Sequence, residues 1–420
     1  MKKIILLLLI FCTSAFGYYS SEAFIDLLVQ PNQLRVRTDR LGALFGNENI
    51  RAAIGLTGAN SLSGIIVHNV SDFQTLNNAK KGLDQFVPAA LAGIGYKMGI
   101  FGIGLGYEFK WKGPTYMVHT PVLSMTALDN TFRINIPISV GVGQKSYYNK
   151  TDSLKGTMVI STGIEGRYYF NMEYFSHLRF YFNYGNSTIK EISSPSTNFT
   201  QQSVGFQLRA YFNYDLSDYK ITPIIRFQFD TALATRYKNI NKSYTIVDNY
   251  FITAKGFAPV GGVITEGSYG STGANADANT GGELRGGYIA SIPNTYYAEE
   301  PYRIGIALPV GFRTVSESGT IELYVEPALS LTIVNAKRIY SFSEAMLKGL
   351  GNLTEDDRRK SPFYTFGYVV YGELYIRPRP RLEWYTEIQT GGATVAGELA
   401  NTSGTTSLIL NASTGITWYF

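Results

Sequence analysis

The sequence predicts an all-β protein: a transmembrane antiparallel up-and-down β-barrel of sixteen strands, with fourteen as the fallback, preceded by a short N-terminal helical segment. Three observations lead there. Fifteen runs of the 420-residue chain alternate apolar and polar residues with a period of two. Beyond the first residues there is no stretch of about 18 apolar residues, so helical membrane spans are excluded. The two termini carry the marks of a chain sent out of the cytoplasm and threaded through a membrane as strands.

Met1, Lys2 and Lys3 place positive charge ahead of a short apolar core at residues 4–11, and Ala15 and Gly17 are small residues where a signal peptidase reads. Residues 1–17 are expected to be a signal peptide, with the mature start near Tyr18. The single cysteine, Cys12, falls inside that leader, which leaves no disulfide to expect. A lipid-anchor reading of Cys12 fits less well, because Ile10 and Phe11 stand where a small residue is required. At the other end Leu408, Leu410, Ala412, Ile416, Trp418 and Phe420 share one face of the last strand, against Ser407, Asn411, Ser413 and Thr417. An ending on Phe with apolar residues at every second position resembles the assembly signal of bacterial outer-membrane barrels. Ile416, Trp418 and Phe420 are its candidate residues, and the barrel assembly machinery is the partner it implies.

Aromatic residues form 14% of the chain and glycine occurs 43 times, a mixture that suits aromatic girdles and glycine-softened strands. The formal charge of +5 loses two with Lys2 and Lys3, too little to argue for nucleic acid. The alternating runs begin near Ile50, Ala89, Phe101, His119, Phe132, Met158, His177, Phe206, Tyr219, Tyr244, Ile304, Thr320, Tyr364, Leu382 and Ser407. From Phe206 the apolar side reads Phe206, Leu208, Ala210, Phe212, Tyr214 and Leu216, against Gln207, Arg209, Asn213 and Asp215. A water-soluble sheet with one face on a core would show the same alternation. The number of strands, the two termini and the lack of a helical layer to cover the oily faces favour the barrel.

Barrels of this kind have short turns at one rim and longer loops at the other. Tracing that alternation back from the C-terminus fails by one strand, and a weak strand at residues 258–266 restores it. The expected organisation is a periplasmic or lumenal segment at residues 18–47, then the barrel over 48–420, with long loops near 265–300 and 336–362. Ser21 is a candidate N-cap for a short amphipathic helix carrying Phe24, Leu27 and Leu28 before Pro31. Residues 343–350 form a second small helical stretch within the later loop.

No enzyme motif is present. His68, His119 and His177 lack metal-ligand spacing, and no nucleophile elbow or phosphate loop occurs. GIGLGYEF at residues 102–109 mimics half of a dinucleotide fingerprint, but its glycines alternate with Ile103, Leu105 and Tyr107 and no helix follows, so it reads as a strand with a small inner face. No cofactor or metal is expected. Charge on the polar faces is the more specific clue. Arg133, Arg179, Arg209 and Arg226 form a basic group; Glu322, Glu326, Glu373, Glu383 and Glu387 form an acidic one. In the predicted barrel these would line the pore on walls half a circumference apart, with Arg51 and Arg313 breaking the segregation.

FIDLLVQPNQLRVRTDRLGALFGNENIRAAIGL at residues 24–56, AGIGYKMGIFGIGLGYEF at 92–109 and VHTPVLSMTALDNTFRINIPISVGVG at 118–143 resemble the variable surface proteins of intestinal spirochaetes, of Serpulina and Brachyspira type. The resemblance covers about the first third of the chain. It implies an abundant, antigenically variable outer-membrane protein that forms homo-oligomers, and it assigns no catalytic residues. The expected function is a porin for small solutes in contact with outer-membrane lipid. The alternative is a surface coat or adhesin that meets host molecules or antibodies and whose barrel is only an anchor.

Overall fold

The protein, in a computed structural model, is described at residues 21–38, 40–57, 65–68, 80–81, 88–111, 116–143, 158–170, 172–190, 198–236, 244–245, 265–266, 297–339, 360–397 and 405–420. Sixteen strands close into one antiparallel wall. In chain order these are β1 (Gln33–Arg37), β2 (Arg40–Gly46), β3 (Ile50–Thr57), β4 (Ala89–Met98), β5 (Phe101–Trp111), β6 (Tyr116–Ala127), β7 (Phe132–Gly143) and β8 (Met158–Tyr169). They continue as β9 (Phe175–Lys190), β10 (Asn198–Phe212), β11 (Tyr219–Arg236), β12 (Tyr297–Val315), β13 (Ile321–Ile339), β14 (Lys360–Arg379), β15 (Leu382–Gly397) and β16 (Thr405–Tyr419). Each pairs with its successor, and β16 returns to β1.

The alternation puts oil outside. Ile94, Leu105, Ile138, Phe206, Leu208, Ile306, Leu323 and Leu329 are exposed, while Asn135, Gln207, Gln228 and Glu326 on the opposite faces are buried. A sheet folded for water would reverse that order; this outer surface suits hydrocarbon. One rim carries tight connections. At the β2–β3 turn, Asn47 Oδ1 accepts from the amides of Asn49 (2.9 Å) and Ile50 (2.7 Å), an Asx turn. At the β4–β5 turn Gly99 sits at φ +58°, a conformation that glycine adopts without strain.

Two features of the wall differ from the sequence expectation. The run at Tyr244 is not a wall strand: Tyr244–Thr245 pairs with Thr265–Glu266 in a separate two-stranded ladder, and β11 pairs directly with β12. The weak strand expected at residues 258–266 is therefore not part of the wall either, although 258–264 lie outside the described residues. Dropping one strand restores the rim alternation as well as adding one does, which is why strand counting could not tell the two apart. The missing pair comes from the other end of the chain, where residues 33–46, expected to lie outside the wall, form the β1–β2 hairpin. Leu34 and Val36 face out and Arg35 and Arg37 face in, a dyad too brief to stand out by periodicity.

That hairpin makes the seam. Only Arg35↔Tyr419, Val36↔Trp418 and Arg37↔Thr417 are paired across β1 and β16, with the amides of Thr38 and Phe420 donating to Ile416 O (3.0 Å) and Leu34 O (3.1 Å). Above β1 the edge of β16 is covered by Ile65–His68, which pairs with residues 409–412. Side-chain contacts reinforce the join: Arg35 lies 3.7 Å from Glu383, Arg37 3.0 Å from Glu387, and Arg37 stacks 3.7 Å over the Tyr385 ring.

The helical segment is present as a 3-10 helix, Ser21–Asp26, and lies inside the lumen against β5, β6 and β7. Ser21 does not cap it: its amide (2.8 Å) and hydroxyl (3.3 Å) both donate to Glu108. Phe24, Ile25, Leu27 and Leu28 are buried, and Phe24 and Leu27 join Leu44, Ala53, Leu91 and Val122 in one apolar cluster. Glycines make the room. A Cβ at Gly106 would lie 2.8 Å from the Phe24 ring, one at Gly104 2.9 Å from Leu27, and ones at Gly95 and Gly102 2.6 and 2.7 Å from Leu28. The GIGLG face is small because a chain segment packs on it.

Two outcomes check this account. Phe24→Ala should lower the unfolding free energy by about 3 kcal/mol, and Gly104→Leu by at least as much, because the new side chain takes the place of Leu27; urea unfolding followed by gel mobility reads both, and a change under about 0.5 kcal/mol would contradict the packing. Leu329→Arg, on the outer face, should cost about 2 to 4 kcal/mol when unfolded by urea from lipid vesicles, and a cost under about 0.5 kcal/mol would put that face outside hydrocarbon.

Candidate functional site

The polar inner face concentrates its charge in two groups. The basic one is a single register row. Arg133 on β7 pairs with Arg167 on β8, Arg167 with Arg179 on β9, Arg179 with Arg209 on β10, and Arg209 with Arg226 on β11. Five guanidiniums thus recur at the spacing of neighbouring strands, about 4.8 Å. Aromatic rings and amides separate them: Arg133 stacks 4.5 Å over Tyr169, Arg179 4.8 Å over Tyr211 and Arg209 4.4 Å over Tyr181. Arg209 Nε donates to Gln207 (2.6 Å), whose own amide donates to Gln228 (2.9 Å).

His177 is built into this row and is no metal ligand. Its ring stacks between Tyr169 at 5.0 Å and Tyr211 at 4.1 Å, and its Nε2 accepts from Arg179 Nε at 3.0 Å. With Nε2 accepting, Nδ1 carries the proton and donates to Ser176 Oγ at 2.9 Å. His119 contacts the Tyr107 hydroxyl, and the side chain of His68 lies outside the described residues. Among the described residues no group of His, Cys, Asp and Glu has the arrangement of a metal site.

Glu165 and Asp26 touch the row at Arg133, Arg167 and Arg179. Glu165 accepts from Arg167 Nε (2.6 Å) and the Tyr181 hydroxyl (3.1 Å), and stands 3.8 Å from Arg179. Asp26, from the lumenal helix, bridges two steps, with Oδ1 2.6 Å from Arg133 and Oδ2 3.0 Å from Arg167. Burial by itself would raise the Asp26 carboxyl, but Arg167 and Arg133, with Arg179 behind them, outweigh it and hold the group below its ordinary value.

The acidic group is where the sequence put it, on the inner faces of β13, β14 and β15, but it does not stand as a bare wall. Glu322 lies between Arg313 (2.7 Å) and Arg377 (2.9 Å); Glu383 meets Arg377 (2.8 Å), Arg35 and the Tyr419 hydroxyl (3.0 Å); Glu387 meets Arg37. Glu326 accepts from the Tyr324 hydroxyl and Glu373 from Tyr371 at 2.7 Å. Five glutamates are thus interleaved with four arginines. Nor do the groups oppose each other across half the circumference. With the Tyr244 and 258–266 runs outside the wall, the arginine row centres on β9 and the acids on β14, and only β12 separates β11 from β13.

Sequence reasoning missed Arg35, Arg37, Asp26, Glu108, Glu165, Arg167 and Arg377. Parity alone would have found Glu165 and Arg167, which share the inner face of β8 with Ser161 and Gly163; Asp26 carried no such signal. Arg51, set apart as an exception, reaches Asn32 at 2.6 Å near the turn rim. Ile416, Trp418 and Phe420 point outward beside the seam and are exposed, with the Trp418 and Phe420 rings 6.3 Å apart.

No curated protein matches the chain. Among solved structures it is similar to a bacterial polysaccharide outer membrane secretin, at 9% identity over 92% of this chain and 98% of that one, with a TM-score of 0.41. It is similar also to OmpT, an outer membrane protein of Vibrio cholerae, at 9% identity over 90% and 98%, with a TM-score of 0.35. The FrpB iron transporter from Neisseria meningitidis gives 11% identity over 94% and 83%, also with a TM-score of 0.35. The family model described as Serpulina hyodysenteriae variable surface protein matches residues 1–419, nearly the entire sequence. An outer-membrane β-barrel with this inner face, the chain belongs to the Serpulina hyodysenteriae variable surface protein family.

Proposed function

We propose that the protein is a diffusion pore for small solutes that prefers anions, its lumen narrowed by residues 21–28. The observation that carries this reading is the arginine row inside a closed wall of sixteen strands, a number that elsewhere encloses an aqueous channel. Charged side chains lining a lumen set selectivity through their field. Here the five arginines of the row and Arg35, Arg37, Arg313 and Arg377 make nine, against the seven carboxylates of Asp26, Glu165, Glu322, Glu326, Glu373, Glu383 and Glu387. The excess is positive.

A second reading, a surface coat whose barrel is an anchor, is favoured by the burial of inner side chains: Glu108, Glu326 and Tyr385 are 0% exposed. Planar-bilayer recording separates the two. The pore reading expects stepwise conductance and, under a potassium chloride gradient, a reversal potential displaced toward chloride. Silence from demonstrably folded protein would reject it and leave the coat.

The Asp26 tether gives the pore a pH response. Its folded value lies below the usual 3.8, so its contribution to docking is complete above that pH and is lost only as the pH falls through the lower, folded value. The segment stays seated on its apolar side chains, and the Arg133 and Arg167 that it releases then face chloride, so wild-type conductance should rise only below about pH 4. Asp26→Asn, lacking the tether throughout, should show a higher conductance at neutral pH and lose that acid step; identical pH profiles for the two proteins would refute the tether.

A further inference from the structure

The arginine row does not run level around the lumen. Arg133 stands one residue in from the start of β7 at the short-turn rim, whereas Arg226 stands seven residues into β11 from the same rim. A row perpendicular to strands tilted by about 40° must climb. Four steps of about 4.8 Å cover about 19 Å and rise about 12 Å along the pore axis, close to half of an apolar band about 25 Å tall. The row is a stair. Its lower steps are the open ones, with side-chain exposures of 15% for Arg133, 12% for Arg167 and 25% for Arg179. Arg209 and Arg226 are covered, at 4% and 1%.

We infer that Arg133, Arg167 and Arg179 form a binding site for solutes that carry two or more phosphate or carboxylate groups, and that Asp26 is the carboxylate resident there when no solute is bound. The inference rests on the pore reading for access, though not for the site itself. Asp26 shows what the steps accept: one carboxylate is held by two neighbouring arginines through separate oxygens at 2.6 and 3.0 Å. Guanidinium pairs of this kind suit the planar oxygens of carboxylate and phosphate. A solute with a second anionic group a strand's spacing away meets Arg179 as well, which a single carboxylate from the segment cannot reach while it bridges Arg133 and Arg167. Exchange does not require the segment to leave. Phe24 and Leu27 are fully buried on the glycine face and Ile25 is fully buried as well, so the backbone stays seated while the Asp26 side chain turns aside. Glu165, on the inner side of Arg167, holds that guanidinium in orientation.

Inorganic pyrophosphate and orthophosphate, titrated calorimetrically into the purified folded protein, test the site. Pyrophosphate should bind at least tenfold tighter than orthophosphate, Arg179→Gln should weaken it tenfold or more, and affinity should fall steeply with added salt. Asp26→Asn, which removes the competitor, should strengthen binding several-fold, a gain that a damaged fold would not produce. Equal affinity of wild type and Asp26→Asn, or no pyrophosphate binding at all, would overturn the inference. Chloride currents separate this from the pore reading: binding without current rejects the pore and keeps the site, whereas current with no pyrophosphate binding keeps the pore and rejects the site.

Discussion

A sheet placed in hydrocarbon tolerates no free edge, because every unpaired backbone amide and carbonyl there costs several kcal/mol. In this protein that requirement falls on the five residues of β1. Three residue pairs join it to β16, and the two arginines that point inward from it finish the join by reaching Glu383 and Glu387. Both ion pairs are largely buried, so removing either partner would strand a charge at a cost of about 3 to 5 kcal/mol. The same two contacts set the electrostatics of the lumen. By neutralising β15 they leave the arginines of β7 to β11 as the dominant field.

The lumenal segment couples to that field through packing. Gly93 and Gly95 of β4 and Gly102, Gly104 and Gly106 of β5 create a shallow inner surface, and Phe24, Leu27 and Leu28 fill it. The fit fixes where the next polar residue goes. Asp26 is delivered between Arg133 and Arg167 by its apolar neighbours, and Ser21 is delivered to Glu108 at the other end of the helix. Burial of those side chains at about 25 cal/mol per Å² supplies the holding energy, while the carboxylate supplies position and sensitivity to charge.

Period-two alternation made fourteen wall strands legible, and with them the inner placement of Arg133, Arg179, Arg209, Arg226 and the five glutamates, because side-chain parity along a strand is fixed by the pleat. The arrangement across strands was not legible. Register decides that Arg133, Arg167, Arg179, Arg209 and Arg226 are successive partners, and register depends on turns and on which strands belong to the wall. Tyr244 has the composition of a strand and sits in a side ladder; Leu34 to Arg37 has four telling residues and closes the barrel. The destination of Phe24 was open as well, since an amphipathic helix pattern states which face is oily without stating what that face meets.

Many of the ion pairs among the described residues lie toward the tight-turn rim: Arg313 and Arg377 with Glu322, Arg377 with Glu383, Arg35 and Arg37 at the seam, Glu165 with Arg167, and Asp26 with its two arginines. The architecture is thereby anchored from one end. Mutational drift at the opposite end, in the connections that join β3 to β4, β11 to β12 or β13 to β14, leaves that foundation undisturbed. Insertions in those connections lengthen the chain without moving the paired residues of the charged rim.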